Sequence, residues 1–200
     1  ENGYELAGSY ENGTTVQTYG GGVCQVSTTL YNAVIRAELE VTERYAHSMI
    51  VNYVKPSSDA AIAGTSKNLK FKNNQKAPVY IEGYTSGGVL YFTIYGQETR
   101  DPKREVIFES ETTGTTEAGV QFKATSAAVG SVSKVQSAHQ GKTAQLWKIV
   151  KVNGVEQSRE VFNKSTYKAS PTIYEVGTSS ENPEATAAMK AAIAPNDLGT

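Results

Sequence analysis

The stretch "TYGGGVCQVSTTLYNAV", residues 18–34, runs from three glycines through the chain's single cysteine into a patterned apolar segment. Val26, Leu30, Ala33, Val34 and Ala37 recur at helical spacing, which predicts one amphipathic helix over 25–38. Ser27, Thr28 and Thr29 are mediocre helix formers, but they fall in the first turn, where they do least harm. Working outward, the flanks read as β. Residues 1–23 are rich in Gly, Tyr and Thr, with "ENG" turn signals at 1–3 and 11–13 and the strand-like run "TTVQTY". From 39 to 97 the runs "LEVTERY", "HSMIVNYV", "NLKFKN", "APVYIEGY" and "GVLYFTIYG" alternate or are apolar, broken at Pro56. The last two, joined by "TSGG", predict a hairpin. The expected fold for 1–98 is therefore α+β, one amphipathic helix packed on an antiparallel sheet.

A polar segment, "TRDPKR" at 99–104, reads as a linker. Residues 105–177 then show strand-like runs without a convincing helix, with "VNGVE" at 152–156 as a hairpin signal. They predict a small, elongated all-β module with little core of its own. Residues 178–200 are rich in Ala, Pro and Ser and predict a partly ordered tail, with "PEATAAMKAAIA" as a short helix.

Composition narrows the function classes. The chain has 200 residues, with 19 Lys plus Arg against 20 Asp plus Glu. Divided at residue 100, the basic and acidic counts are 8 and 9, then 11 and 11, so neither half carries a nucleic-acid footprint. No apolar run reaches the ~20 residues of a membrane span. One cysteine excludes an internal disulfide. The abrupt opening, "ENGYELAGSYENG", reads as the edge of a longer protein.

Cys24 has two readings. Free cysteine is among the most buried residue types, and a tight turn before a helix accommodates it as a small apolar group. Alternatively, free N–H groups and the dipole at a helix start stabilise a thiolate. Gly20, Gly21 and Gly22 would then leave open backbone beside the sulfur. The Gln25 N–H would help hold an oxyanion. A cysteine nucleophile needs a base. Of the two histidines, His139 lies in the second module, whereas His47 closes the strand expected after the helix. Asp59, twelve residues on, would orient the imidazole, with Asn52 and Asn68 as alternatives. Two His and one Cys do not supply a metal site, and "GGG" lacks the pattern of a phosphate cradle. No metal and no cofactor is expected.

The run "GGGVCQVSTTLYNAVIRAELEVTERYAHS", followed by "VNYV", "DAAIAG", "NLKFKNN" and "PVYIEGY", closely resembles the VanW-like family of bacterial envelope proteins, over about residues 1–98. The family's usual pattern has more sequence before this point. Many members carry Asp where this chain has Asn68, which favours Asp59 as the acid. The resemblance implies an envelope setting and names no reaction. Residues 105–177 resemble a five-glycine, or G5, domain through "QGKTAQLWKIVKVNGVEQSREVFNKSTYKASPTIYEVGT", with Gly141, Gly154 and Gly177 at the family's glycine positions. Such modules imply binding to N-acetylglucosamine-containing polymers or a spacer role.

Two function classes follow. One is a cysteine-dependent amidase, peptidase or transpeptidase acting on peptidoglycan outside the cell, with Cys24, His47, Asp59 and Gln25 as its machinery. The other is a non-catalytic envelope module in which a groove of Tyr19, Tyr31 and Tyr53 recognises peptidoglycan or a partner protein. In either, Trp147 and Tyr167 are candidates for stacking on sugar rings. A purely mechanical spacer would explain the second module but not the Gly20 to Leu30 run.

Overall fold

The computed structural model describes residues 3–11 and 14–196. Parts of both "ENG" signals, residues 1–2 and 12–13, lie outside them, as do 197–200.

The first strands, β1 (Leu6–Glu11) and β2 (Thr14–Tyr19), form an antiparallel ribbon. The glycine turn follows, and Gly20 and Gly22 sit at φ +93° and +92°, backbone that L side chains rarely adopt. Between them, a Cβ on Gly21 would stand 2.5 Å from Ala7 Cβ, so the turn packs directly on β1. Helix α1 (Val23–Arg36) starts there and buries Tyr31, Val34 and Ile35. It ends in a Schellman arrangement: the Leu39 N–H donates to Val34 O at 3.1 Å and the Glu38 N–H to Ile35 O at 3.0 Å. Glu38, at φ 56°, takes the left-handed position usually given to glycine.

The expected α+β arrangement, a helix on one antiparallel sheet, is not what forms. Strands hold 49% and helices 15% of the structure, which is mostly β and divided into small sheets. After α1 come two further ribbons, β3 (Glu40–Glu43) with β4 (Lys70–Lys72) and β5 (Tyr80–Ser86) with β6 (Val89–Tyr95). Between β3 and β4 the run "HSMIVNYV" is irregular, so His47 lies in a loop and not on a strand. Further along the same loop, residues 58–60 take backbone hydrogen bonds from α1 and not from a strand. Ala60 O accepts from Ser27 Oγ at 2.6 Å, the Ala60 N–H donates to Thr28 Oγ1 at 3.0 Å, and Ser58 O accepts from Asn32 Nδ2 at 2.7 Å. Polar side chains of α1 replace a sheet ladder.

The second half is built on long strands. Strands β7 (Arg104–Thr116), β10 (Gly141–Val152) and β11 (Val155–Tyr167) form one antiparallel sheet in the order β11-β10-β7. Asn153 and Gly154, both at positive φ, turn β10 into β11. Strands β8 (Val120–Ala128), β9 (Val132–Gln136) and β12 (Thr172–Ser179) form another, in the order β8-β12-β9, with β12 parallel to β8. The tail is more ordered than its composition predicts. Helix α2 (Pro183–Ile193), capped by Asn182 accepting from the Glu184 N–H, touches β8 and β12 and buries Ile193.

The core lies at the seam between the halves. Tyr31, Ile35 and Ala60 meet Leu146 of β10, with Val41, Leu69, Phe108 and Phe162 around them. Among the described residues no helix is long and apolar enough to cross a membrane.

Candidate functional site

Cys24 is the second residue of α1, half-buried on the turn that Gly20 and Gly22 open. Its thiol donates to Ile62 O at 3.4 Å, and its sulfur shares a cleft with the His47 imidazole, which is near enough to act on it. His47 is fixed at the opposite edge of its ring. Asp59 Oδ2 stands 2.7 Å from His47 Nδ1 and also accepts the His47 backbone N–H at 2.7 Å. With Nδ1 taken, Nε2 is left for the cleft, where the Tyr53 hydroxyl lies 3.3 Å away.

Asp59 is fully buried, at 0% exposure. A carboxylate there requires full pairing, and it has it. Oδ1 accepts from Arg44 Nη2 at 2.8 Å and from the Tyr167 hydroxyl at 2.5 Å. Arg44 is itself held, donating through Nε to Asp59 O at 2.7 Å and through Nη1 to Ser165 Oγ at 2.9 Å.

These contacts set the charges. Burial alone would raise Asp59, but the His47 hydrogen bond and the Arg44 charge outweigh it and hold the carboxyl below its usual range. Burial alone would lower His47, yet hydrogen bonds with Asp59 and Cys24 raise it to about 9. The His47 hydrogen bond pulls the Cys24 thiol down against burial, and the Lys67 charge adds to this. Both shifts act toward separating charge between the sulfur and the ring.

A cleft of about 380 Å³ opens over the sulfur, lined by Cys24, Gln25, His47, Tyr53, Ile62 and Lys67 among others. Lys67 donates to Ala46 O at 3.1 Å. The Gln25 N–H is turned into the helix, donating to Gly22 O at 2.9 Å, so it does not face the cleft as an oxyanion donor. The N–H of Cys24 itself has no acceptor among the described residues. Asn52 lines the cleft wall, and Asn68 does not.

The tyrosines do not form one groove. Tyr53 lines the cleft, Tyr19 is 74% exposed and away from it, and Tyr31 is 1% exposed in the core. The Tyr31 hydroxyl accepts from Asn163 Nδ2 at 2.7 Å. Tyr167, 2% exposed, has no face for a sugar; its hydroxyl binds Asp59 and accepts the Ser57 N–H at 2.7 Å. Trp147 is half-buried, donates to Glu111 Oε2 at 2.6 Å and packs under Arg159. Sequence reading also passed over the exposed face of β5 and β6, where Tyr80 stacks on Tyr95 and Tyr84 on Tyr91, at 6.1 and 5.0 Å between ring centres. The period-2 placement of tyrosines in "YIEGY" and "YFTIY" was the available signal. Nothing local marked Arg44 or Ser165, because their partners lie 15 and 121 residues away. Among the described residues no group of three His, Cys, Asp or Glu converges as a metal site.

Residues 1–95 match the family model described as VanW like protein, and residues 109–179 match that of the G5 domain. The uncharacterized protein YoaR of Bacillus subtilis (strain 168) is 38% identical over 96 residues, covering 48% of this chain and 32% of that protein. The chain therefore spans about a third of that relative's length. Among solved structures, the IgA1 protease G5 domain is 31% identical, covers 39% of this chain and 95% of its own, and superposes with a TM-score of 0.28. For HP0197-G5 the figures are 15%, 36% and 99%, with a TM-score of 0.21.

Proposed function

We propose that this chain, a VanW-like domain joined to a G5 domain, is a bacterial cell-envelope protein whose first domain performs cysteine-dependent acyl transfer on wall peptides, as an amidase, peptidase or transpeptidase. The observation that carries the proposal is His47, placed between the Cys24 sulfur and a fully buried Asp59. Asp59 holds the ring with Nδ1 inward, so that the other nitrogen exchanges a proton with the sulfur.

In the first step the Cys24 thiolate attacks the substrate carbonyl carbon. The new C–S bond forms as the carbonyl π pair moves onto oxygen. That oxyanion is met by the Cys24 N–H and the start of α1. The C–N bond then breaks, and the His47 imidazolium gives its proton to the leaving amine. The thioester that remains is opened by water or by an acceptor amine, whose proton returns to His47. Water makes the protein a hydrolase, and an amine makes it a transpeptidase.

The test is intact-mass analysis of the chain after brief exposure to purified stem-peptide fragments. A mass increase equal to the acyl fragment, lost in Cys24→Ala, supports acyl transfer. Turnover that persists in Cys24→Ala overturns it.

A second reading, glycan binding without chemistry, is favoured by the two stacked tyrosine pairs on β5 and β6, all four rings exposed. Sedimentation with purified peptidoglycan checks it. Tyr84→Ala together with Tyr91→Ala should weaken retention several-fold, since each ring stack contributes about 0.5–1.5 kcal/mol. Unchanged retention removes this face from consideration.

A further inference from the structure

The acid that orients His47 is not held by the first domain alone. Asp59 and its neighbour Ser57 sit against the end of β11, which belongs to the segment matched as G5. Five hydrogen bonds link β11 to the first domain across this seam. The Tyr167 hydroxyl donates to Asp59 Oδ1 and receives the Ser57 N–H. Ser165 Oγ receives Arg44 Nη1, while the same guanidinium grips both the carbonyl and the carboxylate of Asp59. Asn163 Nδ2, two residues further back on the strand, reaches Tyr31 Oη at 2.7 Å and Ser57 O at 3.2 Å. Residues 163, 165 and 167 share one face of β11, and that face is laid along the 57–59 loop.

From that side Ser110 Oγ of β7 also donates to Pro56 O at 2.6 Å. The loop has no ladder partner, and Ser57 sits at φ 65°. Removing the Tyr167 hydroxyl would leave Oδ1 with Arg44 alone and the buried Ser57 N–H without its acceptor. The carboxylate would then keep Arg44 and the His47 backbone N–H but lose one of the bonds that hold it turned to Nδ1.

We propose that the second domain contributes Tyr167 and Ser165 as positioning residues of the Cys24–His47–Asp59 site, so that the first domain's chemistry is conditional on the second being docked. This rests on the acyl-transfer reading for its purpose, but the geometry it concerns is that of Asp59 and His47.

The experiment is NMR titration of the His47 ring in the full chain, wild type against Tyr167→Phe and Ser165→Ala, with Ile149→Val as a control. Ile149 is buried in the same sheet, away from the seam bonds. In wild type the ring should titrate near 9. Tyr167→Phe should bring the midpoint down by about one pH unit or more, and Ser165→Ala by less. Ile149→Val should lower the melting temperature and leave the midpoint in place. A midpoint in Tyr167→Phe that equals or exceeds wild type overturns the proposal. So does an equal fall in Ile149→Val, which would mean general loosening. Iodoacetamide labelling of wild-type Cys24 is run alongside. A wild-type thiol that reacts only at alkaline pH sinks the acyl-transfer reading, and the His47 midpoints still decide the positioning claim separately.

Discussion

Residues 44–69 and the β10–β11 hairpin meet at Asp59 and keep their shape by different means. The hairpin is a ladder: strands of 12 and 13 residues pair from Lys142 with Tyr167 to Val152 with Val155, with two register shifts, and the register would survive loss of any one side chain. The loop is held by side chains, namely Ser27, Thr28, Asn32 and Arg44, each bonded to a backbone atom of 58–60. A loop leaves its polar groups free to be aimed, so it carries the imidazole and the acid. A ladder is stiff, so it serves as the backstop. His47 and Asp59 are carried by the pliable partner and steadied by the rigid one.

The largest break in that arrangement is Asp59→Ala. It leaves Arg44, Tyr167 and the His47 N–H buried around nothing. A loss of about 3–5 kcal/mol is expected, the range for stripping one partner from a buried charge pair. Urea unfolding should show it, and Asp59→Asn should recover part. A loss below 1 kcal/mol would mean that the loop does not depend on this carboxylate.

Next is the far end of the seam, where Glu38 is met by Arg100, Arg104 and Lys148. Burial opposes its charge, but those three cations bring Glu38 down to about 2 from the usual 4.5. A depressed carboxyl contributes stability that is present above its usual pKa and lost as pH falls through the folded value. Glu38→Gln should therefore cost about 2 kcal/mol at pH 7, discounted from a fully buried pair because the cations are partly solvated. The gap between wild type and variant should close as pH falls from 4.5 toward 2. A gap independent of pH would contradict the assignment.

These two clasps also show what the sequence could and could not convey. The glycine turn, the helix and the pairing of Cys24 with His47 are local matters, decided by spacing within about 25 residues. The apolar positions 26, 30, 33, 34 and 37 placed the helix within two residues of Val23–Arg36. The run "HSMIVNYV" was misread as strand because it has strand composition, and composition cannot register that Ser27 and Thr28 would hold the same loop at Ala60. Tyr167 read as a candidate for stacking on sugar rings because nothing near it in sequence showed what would cover it. The first domain does, 108 residues away in sequence. Gln25 was assigned the oxyanion because its N–H is the next one after Cys24, and that N–H donates to Gly22 O.

The smallest expected effect sharpens the comparison from the loop's side. Ser27→Ala removes one donor to Ala60 O and leaves Thr28 as the other. About 1 kcal/mol should be lost. Amide exchange should quicken in residues 57–61 and stay unchanged in β10 and β11. Faster exchange across the hairpin would show that the two regions open together.

The most direct measurement of the central claim is the rate at which iodoacetamide alkylates Cys24 in the folded chain between pH 5 and 10. The His47 hydrogen bond lowers the thiol and the ring is raised to about 9, and both shifts favour an ion pair between them. Alkylation should already be on a plateau at pH 7, well below the ordinary thiol value of about 8.5, with a second step as the ring deprotonates near 9. His47→Ala should abolish the plateau. A single rise at 8.5 or above, or labelling that appears only in denaturant, would contradict the account.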